Sequence, residues 1–283
     1  MASRTAPTER QKRLGSEVRK IRVAAELSAE AAARLLGVDR SRLSNIEQGI
    51  RAISEDRLRT LAHGCGCQDQ AYVEALAGMV RPARRGWWER YRGSLPDGLL
   101  DIAELEAHAL RMRTAHSVHI PGILQTSDHA LAVFRVVVPA LPEHEVALRL
   151  AHRVERQHLL ESATAPDYVA VIHEAALRMR FGGRAVARAQ LDHLLEKSEQ
   201  AHVTLLVIPF DAGAFPGAGQ TVLYAQGAVP QLDTVQIDTS HGPEFVHADD
   251  QLAKYRAQLE WMEDIALSSA ASREFIHDIA RQL

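Results

Sequence analysis

Arg40, Ser41, Arg42, Ser44 and Asn45 place five hydrogen-bonding side chains within six residues, and Arg51 follows shortly after. Arginine can present paired N–H groups to guanine O6 and N7, and asparagine can do the same with the edge of adenine. Serine hydroxyls reach bases or phosphates. Such a set can grip a duplex and read it, whereas the same run on an ordinary helix is only a solvated face. The flanking residues decide between the two.

Those residues read as two short helices joined by a tight turn. Ser28 is placed to cap the first, with Glu30 near its positive end and Ala32, Leu35 and Leu36 at helical spacing. Gly37 ends it, because a glycine at a helix C-terminus accepts the positive φ a sharp turn needs. Asp39 then caps a second helix whose inward side is Leu43 and Ile46, and Gly49 stops it. Around this unit the spacing predicts a helix over 14–25 with Leu14, Val18, Ile21 and Ala25 on one face, preceded by a short basic arm over 1–12. A fourth helix begins at Ser54 and buries Leu58 and Leu61, and a fifth spans about 68–78. Residues 1–80 are therefore expected to form an all-α domain built on a helix-turn-helix.

Residues 14–77 resemble the compact five-helix domain of the Cro/repressor-like, or XRE-type, regulators. The strings LS, AEAAARLL, GV, DRSRLSN and IEQG carry the likeness. It implies DNA contacts from Ser28, Arg40, Ser41, Arg42, Ser44, Asn45 and Arg51, and a structural pairing of Glu47 with Arg19 or Arg22. Many members have glutamine at the start of the second helix, where it touches phosphate; here that position is Ala29, leaving Ser28 or a backbone amide to take its place.

Charge divides the chain unevenly. Residues 1–93 hold 18 Lys and Arg against 11 Asp and Glu, a net of +7, while the remainder holds 15 against 25, a net of −10, within an overall −3. A basic module gains from releasing the counterions of a polyanion, so the first part is expected to face double-stranded DNA and the second to stay off it. No apolar run approaches a membrane span and no signal-peptide core is seen, so a cytoplasmic, nucleoid-associated protein is expected. Cys65 and Cys67 read as small residues at a helix end, not as metal ligands, and no cofactor is implied.

Residues 81–98 form an Arg/Trp-rich linker, in which Pro82 and Gly86 break the helical pattern and Trp87, Trp88 and Tyr91 supply aromatic surface for a domain or dimer interface. The remaining residues 99–283 read as a mixed α/β domain. A helix with Ile102, Leu105, Ala109 and Met112 on one stripe is expected to end near Thr114, followed by helices opening at Ser127-Asp128 and over 142–162. Four strands are expected, over 168–173, 203–210, 221–225 and 234–237, with a helix over 185–200 making a parallel βαβ unit and two helices closing the chain.

The strings IPGILQTSDHALAVF, RVERQHLL, VIHEAALRMRFGG, QLDHLLEKSEQAHVTLLVIPFDAGAFPG and LSSAASREFI resemble the C-terminal domain of antitoxin-like XRE-family regulators of actinomycetes, abundant in Streptomyces. Departures are mild: Ile123-Leu124 stands for the usual leucine pair, and His129 for a usual tyrosine. The resemblance implies a regulatory domain and a small protein partner encoded nearby. A dimer on an inverted-repeat operator is expected, since one such head buries too little surface alone.

Three functions remain at this point. The C-terminal domain receives a protein partner, or it senses a small molecule in a pocket near 209–219, or it is an enzyme that the helix-turn-helix targets. The enzyme reading has little to stand on. His173 and Glu174 are adjacent on an expected strand and so point to opposite faces, and the loop over 211–220 has glycines without the Lys-Ser/Thr of a phosphate loop. The crowd of His108, His116, His119 and His129 forms no pair on one helical face and is taken as structural or solvated.

Overall fold

The computed structural model describes residues 6–80, 86–217 and 219–283. It divides into two compact units, Met1–Arg90 and Tyr91–Leu283.

The first unit is helical: α1 (Glu9–Ala24), α2 (Ala29–Leu35), α3 (Arg40–Glu47), α4 (Glu55–Gly64) and α5 (Gln70–Val80). The arm expected over 1–12 is shorter than the sequence suggested. Thr8 and Gln11 form a reciprocal capping box, so helix starts at Glu9, while residues 1–5 lie outside the described residues. Ser28, Asp39 and Ser54 cap α2, α3 and α4 through their side chains. Val18, Leu43, Leu58, Leu61 and Leu76 are fully buried at the centre. Leu35, expected inside, is 40 % exposed, and Ala33 takes the inward position in its place.

The second unit follows the turn Trp87–Tyr91. Its elements are α6 (Asp97–His108), β1 (Arg111–His116), α7 (Ser127–Arg135), α8 (Glu143–Gln157), β2 (Asp167–His173), α9 (Glu174–Arg178), α10 (Arg184–Lys197), β3 (Val203–Ile208), β4 (Val222–Gln226), β5 (Thr234–Thr239), β6 (Gly242–Val246), α11 (Asp249–Ile265) and α12 (Ser269–Gln282). The strands form one mixed sheet in the order β3-β2-β1-β4-β5-β6. β3, β2 and β1 run parallel, and β4, β5 and β6 extend the sheet antiparallel from β1.

Two expectations are corrected here. The sheet has six strands among the described residues instead of about four, and the run ending near Thr114 is not helix beyond His108. Met112 falls at helical spacing from Ile102, Leu105 and Ala109, which concealed the strand. β1, RMRTAH, carries charge where an inner strand is normally apolar, and the fold neutralises that charge. Arg113, 5 % exposed, donates from Nε to Glu263 of α11 at 2.7 Å. The other missed strand, β6, contains Pro243 and Glu244 and sits at the sheet edge, where such residues are tolerated.

Both faces of the sheet are covered. Met112, Ala170, Ile172, Leu205 and Val207 pack with α10 and α12 on one side, and Ala115, Val171, Tyr224 and Val235 pack with α11 on the other. Burial on both faces explains the near-continuous apolar run of β2. The buried phenols keep partners: Tyr224 donates to Asp233 at 2.8 Å, and the Tyr168 hydroxyl lies 3.2 Å from that of Thr114.

The histidines from β1 to α7 include a pair gathered around one aromatic ring. The rings of His119 and His129 lie 5.2 and 5.4 Å from that of Phe181. His129 is 1 % exposed, and burial pulls its pKa down to about 4; burial likewise brings His116 to about 3. A histidine with a lowered folded-state pKa gives stability that is present above about pH 6.5 and lost as pH falls toward the folded value. The second unit is therefore expected to lose up to about 1.4 kcal/mol per pH unit for each such ring between about pH 6.5 and 4. Denaturant titrations of wild type and His129→Leu across that range check this, the variant giving the flatter dependence.

Candidate nucleic-acid interface

The position of α3 is set from both ends. At its start, Gly37 adopts φ +61° and the Asp39 carboxylate accepts from the Arg42 N–H and the Ser41 hydroxyl, both at 2.7 Å. The Ser41 hydroxyl first, then the Arg42 amide, holds that carboxyl below the usual range. At its end, Glu47 is gripped by Arg22 of α1, whose Nε and Nη2 donate to the two carboxylate oxygens at 2.6 and 3.0 Å. The same guanidinium donates from Nη1 to the Leu27 carbonyl at 2.9 Å, and pairing with Glu47 raises its pKa. Of the two arginines expected to meet Glu47, Arg22 does so and Arg19 stays exposed.

Gly15 permits this approach. A Cβ there would lie 2.6 Å from the Ile46 carbonyl oxygen and 2.7 Å from that of Glu47, so α1 touches the end of α3 backbone to backbone. Deeper in the unit, Arg13 and Glu17 form a buried ion pair and Tyr72 of α5 donates to the same carboxylate. Arg13 and Glu17 stand at i,i+4 spacing on α1, but nothing local in the sequence marks Tyr72 as the third member, because α5 lies far along the chain.

With that frame fixed, Arg40, Arg42 and Arg51 are exposed, and among the described residues none has a carboxylate within 4 Å. Arg51 is carried by the turn after α3, where the Asn45 carbonyl accepts from the N–H groups of Ile50 and Arg51 at 2.9 and 3.1 Å. Asn45 is half-buried beside this turn, and Ser44 is exposed and accepts from Gln48 Nε2 at 3.2 Å. Ser28 caps α2 by accepting from the Ala31 N–H at 3.2 Å, which leaves Ala29 as the first helical residue. Ser41 is engaged with Asp39, so its hydroxyl proton already has an acceptor inside the protein. The arrangement is a cationic surface around one short helix whose backbone is clamped from behind.

Residues 99–278 match the family model described as Domain of unknown function (DUF5753). The chain belongs to the DUF5753 family. Residues 13–76 match a model described as Helix-turn-helix domain, which suggests a DNA-binding regulator. No curated protein and no solved structure matches. No helix among the described residues is long and apolar enough to cross a membrane.

In the DUF5753 region, His173 and Glu174 both have partners within the unit. His173 ends β2 and caps α9, its Nδ1 accepting from the Ala175 N–H at 3.2 Å, while Glu174 accepts from Arg178 Nε at 2.6 Å and from the Phe210 N–H at 2.9 Å. Tyr91 is spent within this unit: it is 6 % exposed, meets His152 edge-on at 5.2 Å and donates to Glu155 at 3.1 Å. Trp88 is likewise 6 % exposed and meets Trp87 edge-on at 5.9 Å. Residues 81–85, which include Pro82 and most of the linker's arginines, lie outside the described residues. Cys65 and Cys67 are unpaired half-buried thiols, burial raising that of Cys65, and no metal-holding group of three or more His, Cys, Asp or Glu occurs among the described residues.

Removing Glu47 leaves Arg22 half-buried without its counter-charge. Glu47→Ala is expected to cost about 3 kcal/mol, and Arg22→Leu with Glu47→Leu less than the sum of the two single changes. Urea unfolding of the four proteins measures that coupling. Gly15→Ala is expected to cost about 3 kcal/mol or more, since backbone, not a flexible side chain, must move.

Proposed function

We propose that this chain is a sequence-specific DNA-binding transcriptional regulator that engages double-stranded DNA through α3 as a homodimer. In this reading its DUF5753 domain receives a protein partner and performs no catalysis. The finer assignment, an antitoxin-like XRE regulator of the actinomycete type with a small partner encoded nearby and residence on the nucleoid, belongs to the same proposal. What carries it is the exposed arginine set of Arg40, Arg42 and Arg51 on an element locked by Arg22 and Glu47. An exposed cation with no internal carboxylate is free to pair with phosphate or a base edge. The net charge of +7 over residues 1–93 supports the same surface.

The non-catalytic reading is supported by the engagement of His173 and Glu174 in a helix cap and an ion pair. A sensing role for the DUF5753 domain is favoured by a different observation, a polar cavity treated below. Among the described residues, the loop over 209–219 contributes only Gly219 to a cleft of about 410 Å³ against α11.

Fluorescence anisotropy with a selected operator tests the proposal. Arg42→Ala is expected to lose about 1 to 3 kcal/mol on the cognate site and to relax preference at one base position. Arg51→Ala is expected to weaken all sequences alike and to flatten the salt dependence by about one counterion. The operator is expected to be an inverted repeat with half-site centres about 34 Å apart or a multiple of it. A protein that sediments as a monomer and holds a single half-site tightly would refute the dimer.

A further inference from the structure

Between α6, α8 and the strands β1, β2, β4 and β5 lies a cavity of about 170 Å³. Two arginines of α8 line it, and their situations differ. Arg156 is neutralised, its Nε 2.6 Å and its Nη2 2.9 Å from the carboxylate oxygens of Glu106, which is 2 % exposed. Arg153 donates from Nη1 to the amide oxygen of Gln125 at 2.5 Å and stacks its guanidinium 4.6 Å from the centroid of Phe134. Neither partner is an anion, and among the described residues no carboxylate lies within 4 Å of Arg153. Burial, reinforced by the charge of Arg156, brings its pKa down to about 9. Arg153 is half-buried and lines the open volume without a directly bonded counter-charge, Asp238 and Glu106 acting on it only from beyond 4 Å.

The rest of the lining fixes what that counter-charge is. His116 contributes to the wall, and its Nδ1 is buried without a hydrogen-bond partner among the described residues. Gln236, 5 % exposed, also lines the cavity and donates its Nε2 to Asp238 at 2.8 Å. Glu106 and Asp238 line the same space and repel an anion in proportion to its charge, which favours a singly charged occupant at Arg153 over a multiply charged one. A guanidinium fork matches a planar carboxylate. The volume is well below the roughly 300 Å³ at which pockets for drug-sized ligands begin, which restricts the occupant to a few carbons.

We propose that this cavity binds a small monocarboxylate whose anionic group pairs with Arg153 and whose remaining polar atom meets His116 or Gln236. This gives a ligand class to the sensing reading of the DUF5753 domain. It is measured without DNA, so its failure leaves the DNA-binding proposal untouched, and the reverse also holds.

Saturation-transfer NMR and thermal-shift titration of the full chain with acetate, lactate and succinate, and with inorganic phosphate as the competing anion, test the assignment. A monocarboxylate is expected to bind saturably and raise the melting temperature, and Arg153→Gln to weaken that binding by about tenfold or more. Arg153→Met serves if the glutamine variant is unstable, because it removes the charge without burying a new polar atom, and the same loss is expected. Circular dichroism of the unliganded variants shows that they are folded. Binding of equal strength in the folded variants, preference for phosphate or succinate, or no binding by any probe overturns the proposal.

Discussion

One guanidinium joins three helices of the helix-turn-helix unit. Arg22 leaves α1, closes on the carboxylate at the end of α3, and uses its remaining donor on the carbonyl just before α2 begins. Side chains that read base edges must be held to within a fraction of an ångström, and a two-turn helix has too few backbone bonds to hold itself. Packing by Leu43 and Ile46 sets the depth of α3, but apolar contact is non-directional and leaves its rotation loosely defined. The bidentate pair supplies the direction, and the bare backbone contact at Gly15 makes it reachable.

The two units use the same residue for opposite ends. In the first, arginines at the surface of α3 are left without carboxylates, so their charge is directed outward. In the second, Arg113, Arg156 and Arg256 are each matched to Glu263, Glu106 and Asp233, and their charge is consumed in holding elements of the unit together. The acidic excess of the second unit reflects this matching only in part, since many of its carboxylates are exposed. Arg153 belongs to neither class: it is half-buried, and no carboxylate among the described residues lies within 4 Å of it.

How much of this was readable in advance follows from how local each determinant is. The caps at Ser28, Asp39 and Ser54, the glycine turn and the inward Leu43 and Ile46 are decided within one helical turn, and all were legible. The choice of Arg22 over Arg19 depends on which face of α1 meets α3, which the sequence narrows to two candidates. Strand β1 was illegible because its charge is cancelled by a residue on α11, far along the chain, and because Met112 continues a helical spacing by chance. The gathered histidines escaped for a related reason: the ring that draws His119 and His129 together belongs to Phe181, in a loop that carries no pattern of its own. The cavity beside them is assembled from α6, α8 and four strands, so no single segment announces it.

The sheet also has unequal margins. On β3 the outward Val207 N–H donates to Ser272 and its carbonyl accepts from the Leu267 N–H, so the connection between α11 and α12 engages that border at Val207. β6, at the other border, pairs among the described strands only with β5. Open-ended stacking of copies through their sheets needs two available borders per molecule. Ser272 and Leu267 thereby occupy backbone groups of β3 that an incoming strand would need.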